Sequence, residues 1–324
     1  MSDAPAATLP PLDCDLLVIG SGAAGLACAV TAAWHGLKVI VVEKDSTFGG
    51  ASAWSGGWMW VPGNPLARRA GIHENPQQPR TYLKHELGER YDAARIDAFL
   101  DNGPQMVAFF EQHTALQFVD GNGIPDIHGQ VPGAGIEGHQ VIAAPYDARA
   151  IGPLLKRLRK TLRETSFLGM PIMAGADLGA FLSMTRSFRS LLHVAGRFAR
   201  HLRDLALHGR AMHLVNGVAL IGRLGKSAED LGVNLLESTP ARSLLRNSQG
   251  VQGALVDTPE GPREIRARRG VLLAAGGFAN DLPRRQALFP RAQGPDEHLA
   301  LPPRSCCGDG IRLGEQAGAV LATD

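Results

Sequence analysis

The stretch Asp15-Leu-Leu-Val-Ile-Gly-Ser-Gly-Ala-Ala-Gly25 decides the fold. Residues 15–19 read as a short buried strand, and the pattern Gly20-x-Gly22-x-x-Gly25 follows with no spacer. Residues 26–34 are a small, apolar helical run that Gly36 closes. Val39-Ile-Val-Val42 is a second strand, ending on Glu43. The three glycines differ in purpose. Gly20 permits the tight turn, Gly22 lets a pyrophosphate approach the backbone, and Gly25 lets helix pack on strand. Ala23 and Ala24 complete the turn. A phosphate then sits at a helix N-terminus, where free N–H groups and the dipole favour an anion. Glu43 lies 18 residues past Gly25, near the ~20 expected of an acid that accepts hydrogen bonds from ribose hydroxyls. Strand, turn, helix, strand and acid in this order predict a dinucleotide site. Gly133-Ala-Gly-Ile-Glu-Gly138 fits the same glycine spacing, but no strand feeds it, and it reads as a loop.

Outward from this motif, the composition is that of a folded domain. The chain has 324 residues, 44% apolar and 20% charged, which excludes disorder and collagen. Lys and Arg total 33 against 31 Asp and Glu, a net +2, so no overall charge drives binding to nucleic acid or to an acidic membrane. Four Cys are too few for a disulfide scaffold and suit a reducing cytoplasm. No His/Cys spacing fits a zinc site. Residues 1–13 are Ala/Pro-rich and read as a loose tail without a signal-peptide pattern.

The context after Glu43 favours a flavin over a nicotinamide. Gly49-Gly-Ala-Ser-Ala-Trp-Ser-Gly-Gly57 is a second small-residue loop, able to run beneath a flat ring and along a pyrophosphate. Four strands follow much later, at 234–237, 241–246, 251–257 and 263–267, punctuated by Gly250 and Pro259-Glu-Gly261 as hairpin turns. Val271-Leu-Leu-Ala-Ala-Gly-Gly277 is a further buried strand ending in small residues.

With these residues in family order, the chain resembles the FAD-dependent oxidoreductases that include fumarate reductases and 3-ketosteroid Δ1-dehydrogenases. The resemblance rests on Gly20 to Gly25, Glu43-Lys44, Gly49 to Gly57, Ala274-Ala-Gly-Gly277, Gly308-Asp-Gly310 and Gly314-Glu-Gln-Ala-Gly318. It implies an α/β fold: a Rossmann-like FAD-binding domain of glutathione-reductase type, with a helical insertion and a β-meander. It places Glu43 on the adenosine ribose with Lys44 beside it. Gly50, Ala51, Ser52, Ser55, Gly56 and Gly57 would lie along flavin and pyrophosphate, Ala241 at the adenine, and Ala275, Gly276 and Gly277 against the cofactor by backbone. Members with covalent flavin carry a His in the second loop. None lies between His35 and His73 here, so non-covalent FAD is expected.

Residues 82–111 read as two helices, 120–147 as loop, and 154–165 as a basic helix. Residues 185–213 carry six Arg and one Asp, a local +5, with Phe188, Leu191, Leu192, Ala195, Phe198, Leu202 and Leu205 on an apolar side. Two readings stand: an interfacial helix touching membrane or a lipid-like substrate, and, favoured, a solvated helix packed on the core by one face.

The resemblance also implies oxidation or reduction of a CH–CH bond, with tyrosines as proton carriers in the steroid-type members. Their Pro-Asp-Tyr context reads Pro125-Asp-Ile127 here, with His128 next. Candidates for catalysis are therefore Tyr146 and Arg149, in the steroid-like segment Pro145-Tyr-Asp-Ala-Arg-Ala-Ile-Gly152, and His128 as a substitute. Fumarate-reductase members carry a substrate His shortly before Gly-Asp-Gly. Pro303 is near that position and His298 lies too early, although Arg304 could hold a carboxylate. Asp309 reads as the cap of a helix over 311–317, before a short strand at 319–322.

The expected organisation is a tail at 1–13, an FAD-binding domain at 14–280 with a mainly helical insertion at about 80–213, and the start of a return toward a cap at 281–324. A cap and a final flavin segment would follow Asp324 in the family, so little turnover is expected from these residues alone. The substrate expected is a steroid-like or other hydrophobic ketone, with an unknown electron acceptor. The alternatives are a fumarate- or urocanate-type reductase and a flavin-binding fragment without turnover.

Overall fold

The computed structural model describes residues 9–289, 291, 294, 297 and 299–322; His298 lies outside the described residues. In chain order, β1 (Leu9–Ile19), α1 (Ala23–Trp34) and β2 (Val39–Val42) are the opening βαβ. Then come β3 (Trp58–Trp60), α2 (Pro65–Arg69), α3 (Gln77–Leu87), α4 (Ala93–His113), β4 (Phe118–Asp120), β5 (Gln140–Ala143), β6 (Tyr146–Asp147), β7 (Ser166–Phe167) and β8 (Met170–Pro171). A helix-rich run follows: α5 (Ala176–Ser183), α6 (Phe188–His208), β9 (His213–Leu214) and α7 (Asn216–Asp230). The chain continues through β10 (Asn234–Leu236), β11 (Ala241–Asn247), β12 (Gly250–Thr258), β13 (Gly261–Leu273), α8 (Leu282–Leu288) and α9 (Asp309–Gln316).

The chain divides into two compact units. The first comprises residues 1–54, 148–169 and 224–324; the second comprises 55–147 and 170–223. In the first, a six-stranded sheet runs in the order β10-β2-β1-β13-β12-β11. β10, β2, β1 and β13 pair in parallel, and β13, β12 and β11 form an antiparallel meander. Every residue of β2 is buried, as parallel strands covered on both faces require. Leu17, Ile40, Val42, Ala254, Val256, Ile265 and Leu313 form the core cluster. The chain leaves β1 toward β2 through α1 and returns on the other flank as β13, so a crevice opens at the carboxyl ends of these strands, the usual ligand position in such sheets.

In the second unit, β3, β5 and β4 form a small antiparallel sheet, and α5 lies against α6. The buried Asn64 side chain caps α2, accepting from the Leu66 and Ala67 N–H groups, and donates to the carbonyls of Val61 and Gly138. Arg223 donates to the carbonyls of Ala115, Ala144 and Pro145.

Several sequence expectations are corrected. β1 begins at Leu9, inside the stretch read as tail. The strands expected at 263–267 and 271–273 are one, β13, which continues through Gly270. The loop at 120–147 contains β5, whose four residues are all buried; its glycine and proline content hid it. The basic helix at 154–165 does not form: residues 148–156 make 3-10 turns kinked at Gly152, and Pro153 blocks regular hydrogen bonding. No strand forms at 319–322. Asp309 does not cap its helix; it is the first helical residue, and its carboxylate is taken by two cations. α6 forms, but Val194, His201 and Asp204 are its buried residues, while Phe188, Leu191, Leu192, Leu202 and Leu205 of the expected packing face are exposed.

Candidate functional site

A cavity of about 290 Å³ lies within the first unit, at the carboxyl ends of β1, β2 and β13. Its floor is the glycine turn. Gly20 has φ +109°, its N–H donates to Val42 O (2.8 Å), and a Cβ there would lie 2.3 Å from Ala274 O. A Cβ on Gly25 would meet Gly20 O at 2.0 Å, so α1 packs against the turn only without a side chain at that position. Gly22 is the N-cap of α1 and offers no side chain to the first turn. Ser52, from the second small-residue loop, reaches across and accepts from the Ala23 N–H at 3.0 Å.

Glu43 is buried at the cavity wall. Its Oε2 accepts from the Ser21 N–H (3.2 Å) and the Ser21 hydroxyl, and its Oε1 accepts from the Asp45 N–H (2.9 Å). Ser21 Oγ in turn accepts from the Gly49 N–H at 2.9 Å. The fully buried Ser21 therefore ties glycine turn, acid and second loop together. Sequence reasoning misses it as the unspecified residue between two glycines; a hydroxyl inside the glycine turn is the available signal. The Glu43 backbone is pinned too, accepting from the Thr239 N–H (2.7 Å) and donating to Leu236 O (2.8 Å). This brings Thr239, Pro240 and Ala241 to the same wall.

At the rim, Lys44 Nζ donates to Asp309 Oδ2 (2.7 Å) and Ser305 O (3.3 Å). Ser305 Oγ donates to Asp45 Oδ2 (2.6 Å), which Arg159 also pairs. Burial alone would raise the Asp309 carboxyl; Lys44 and Arg312 outweigh it and hold Asp309 below its ordinary range. Burial would lower Lys44, but Asp309 outweighs it and holds the ammonium above its ordinary value. Cys306 lines the cavity as a free thiol that burial pushes up, so it stays protonated near neutrality.

Of the residues expected from sequence, Gly20, Gly22, Ala23 and Ala24 line this cavity with Glu43, Lys44, Gly50, Ala51 and Ser52. Ala241, Ala275 and Gly276 line it from the strand ends. Gly25 and Gly277 belong to the first unit without lining it. Ser55, Gly56 and Gly57 fall in the second unit, where the Ser55 hydroxyl accepts from the Gly57 N–H (3.2 Å) and closes its own turn. None of the three catalytic candidates is among the lining residues. Arg149 is an exposed residue of the first unit. In the second, His128 pairs with Glu86 (Nδ1–Oε2 2.8 Å), and Tyr146 has the Arg223 guanidinium 4.4 Å over its ring. Among the described residues, no His/Cys/Asp/Glu group is arranged to hold a metal ion.

The second unit holds a buried cluster that sequence reasoning misses. His139 sits between Asp126 (Nδ1–Oδ1 2.9 Å) and Glu74, which its Nε2 meets, and Trp60 Nε1 donates to Asp126 at 2.7 Å. Burial opposes charge on His139, but the two carboxylates outweigh it and raise its pKa. Gly135 lies under the ring: a Cβ there would be 2.2 Å from His139 Cε1.

Among known proteins, the chain is 37% identical over 286 residues to a 4-oxocyclohex-2-ene-1-carboxylate 5-dehydrogenase of Sinomonas cyclohexanicum, covering 88% of this chain and 48% of that one. It is 34% identical over 313 residues to a 3-oxosteroid 1-dehydrogenase of Mycobacterium tuberculosis, covering 95% and 54%. A crystal structure of 3-ketosteroid delta1-dehydrogenase from Sterolibacterium denitrificans, in complex with 1,4-androstadiene-3,17-dione, superposes with a TM-score of 0.85 at 28% identity, covering 94% of this chain and 55% of that one. The chain thus spans about half the length of the curated relatives it matches. A family model described as FAD binding domain matches residues 15–324, the span that builds the cavity above, and the chain belongs to that family.

Proposed function

We propose that this chain holds FAD non-covalently in the cavity of its first unit, as the cofactor-binding part of a cytoplasmic dehydrogenase acting on a CH–CH bond of a cyclic ketone. The observation that carries the reading is the turn of Gly20 to Gly25 set against the buried carboxylate of Glu43. The residues present fit the group. The α1 N-terminus has no side-chain cap of its own and would face the pyrophosphate. Glu43, held by Ser21 and Asp45, keeps acceptor capacity for the ribose. Backbone at Thr239–Ala241 and Ala274–Gly276 lines the rest. FAD supplies hydride-accepting chemistry when bound. The cavity-lining residues include no His to which flavin could attach, and the four free cysteines accord with a reducing compartment.

The substrate class follows from what the relatives' names share, an oxo group on a six-membered ring or steroid. Tyr146, His128 and Arg149 remain the proposed substrate-side residues: Tyr146 for a proton, with Arg223 over its ring, and His128, paired with Glu86, in place of the missing family tyrosine.

The test is spectroscopic. The full-length protein, reconstituted with FAD, takes on flavin absorbance and bleaches anaerobically with a 3-oxosteroid or a 4-oxocyclohexanecarboxylate. A protein that never takes up FAD overturns the cofactor reading. Flavin that ignores both ketones but, once reduced, is reoxidised by fumarate or urocanate overturns the substrate reading.

A further inference from the structure

The loop between β4 and β5 has no apolar anchor. From residue 122 to residue 137 the only buried side chain is that of Asp126. Ile127 is 90% exposed, Ile136 is 79% exposed, and His128 is exposed beside Ile127. Asp126 holds this loop from several directions. Its Oδ2 accepts from the Gly135 N–H (2.8 Å), its Oδ1 accepts from Trp60 Nε1 (2.7 Å), and both oxygens face His139 Nδ1 (2.9 and 3.0 Å). The main chain closes at the same point, where the Asp126 N–H donates to Gly135 O (2.9 Å). On the other side of the ring, His139 Nε2 meets Glu74, just before α3. α3 supports the far arm of the loop: Gln78 Nε2 donates to Ala134 O (3.2 Å), and a Cβ on Gly133 would lie 2.5 Å from Tyr82 N.

The state of the loop therefore depends on one ring. Both nitrogens of His139 face carboxylates, and only the imidazolium can donate from both. The neutral ring keeps one N–H and turns a lone pair toward the other carboxylate, so one arm of the clamp changes from attraction to repulsion. The charged groups that face His139 are Asp126 from the loop and Glu74 from the turn before α3. β3 contributes the Trp60 ring, edge-on with centroids 5.4 Å apart. α3 contributes Tyr82, whose hydroxyl interacts with Asp126 and Glu86, and Glu86 itself pairs with His128 (2.8 Å). Burial alone would keep His139 neutral; Glu74 and Asp126 outweigh it and favour the charged ring.

We propose that His139 is a positioning residue for the ketone: protonated between Glu74 and Asp126, it clamps residues 124–138 in the pose that presents Ile127 and His128 to the substrate, and on losing its proton it releases the loop and weakens ketone binding. Ile127 beside an imidazole suits a hydrophobic ring that bears an oxo group. The substrate half of the proposal rests on the reading of His128 as a substrate-side residue. The clamp half rests on the geometry of the second unit alone.

The experiment compares the full-length, FAD-loaded wild type with Glu74→Gln, which keeps the side-chain volume and removes one charge from the clamp. Two quantities are followed against pH. The first needs no substrate: amide hydrogen exchange of residues 124–138, corrected for its intrinsic rate. Protection is expected at pH 6 and should fall about tenfold or more through a midpoint above the ordinary imidazole value of about 6.5. The second is the KM for a 3-oxosteroid, expected to rise about tenfold per pH unit above the same midpoint while kcat changes less. Glu74→Gln should move both midpoints down by about one pH unit. A residue with only a structural role would leave the KM midpoint in place. Exchange that does not respond to pH, or whose midpoint Glu74→Gln leaves unmoved, overturns the clamp. A KM midpoint that Glu74→Gln leaves unmoved belongs to another group, such as His128, and overturns the positioning role. If the ketones do not reduce the flavin at any pH, the substrate half falls with the functional reading above, and the exchange measurement still decides the clamp.

Discussion

The two units carry polar chemistry in opposite ways. In the first, the cavity is made by backbone: Gly20, Gly22 and Gly25 clear space, strand ends supply N–H and C=O groups, and Ser21 orients one carboxylate. In the second, side chains far apart in sequence bury charge against charge, as Glu74, Asp126 and His139 do, or knit loops together, as Arg223 does with residues 115, 144 and 145. A backbone-built site is intolerant of added atoms, whereas a side-chain-built cluster is intolerant of lost ones. Substitutions can break or sharpen that contrast, because each unit is expected to fail by its own route.

The largest loss of stability is expected from His139→Ala. It leaves the nearly buried carboxylates of Asp126 and Glu74 facing each other without a cation, at a cost of about 3–5 kcal/mol. Urea denaturation checks it. A loss under about 1 kcal/mol would mean that the cluster is not held by charge. The pH dependence follows from the raised His139 pKa. A raised folded pKa gives stability that is complete below the ordinary imidazole value of about 6.5 and is lost as pH rises through the folded value. The wild-type denaturation midpoint should therefore fall on the alkaline side, and His139→Ala should flatten that slope.

Gly20→Ala is next. A Cβ 2.3 Å from Ala274 O at φ +109° forces β1 and the 274–276 segment apart, for about 2–3 kcal/mol and loss of flavin uptake. Wild-type-like flavin content in this variant would show that the turn adjusts, and the backbone-built half of the contrast would fall. Glu43→Gln leaves backbone and volume intact while removing charge-assisted bonds. FAD affinity is expected to fall about tenfold, or about 1.4 kcal/mol, with stability changed less than in Gly20→Ala. Fluorescence titration separates the two effects.

The same contrast explains what could be read from sequence. The opening βαβ, the meander and most cavity-lining residues were legible because their determinants are local: glycine spacing, a four-residue apolar strand, and turn residues at 250 and 259–261. Ser21 and the 305–309 rim were not, because their roles come from partners 22 and 260 or more residues away. Residues 140–143 form a buried strand whose only sequence signal is four residues set among glycines and prolines. α6 shows the limit of periodicity. The spacing of Phe188, Leu191, Leu192 and Leu202 announces an amphipathic helix but does not say which face turns inward. That is decided by the Arg197 and Asp204 hydrogen bonds to residues 171 and 212.

The smallest effect is expected at the rim of the first unit. Lys44 and Asp309 form a pair 39% and 24% exposed at their side chains, so solvent screens it, and Lys44→Met should cost no more than about 1 kcal/mol. Its pH signature has the opposite sign to that of His139. Burial raises the Asp309 carboxyl, but Lys44 and Arg312 hold it lower on balance. A depressed folded pKa gives stability present above the ordinary carboxyl value of about 3.9 and lost as pH falls through the folded value. Lys44→Met should therefore narrow the acid-side loss and, because the Lys44 ammonium is itself held above its ordinary value of 10.5, also remove a small loss on the far alkaline side. If it instead abolishes FAD binding while Glu43→Gln does not, the rim cation and not the buried carboxylate organises the site, and the backbone-built reading of the first unit gives way to a side-chain-built one.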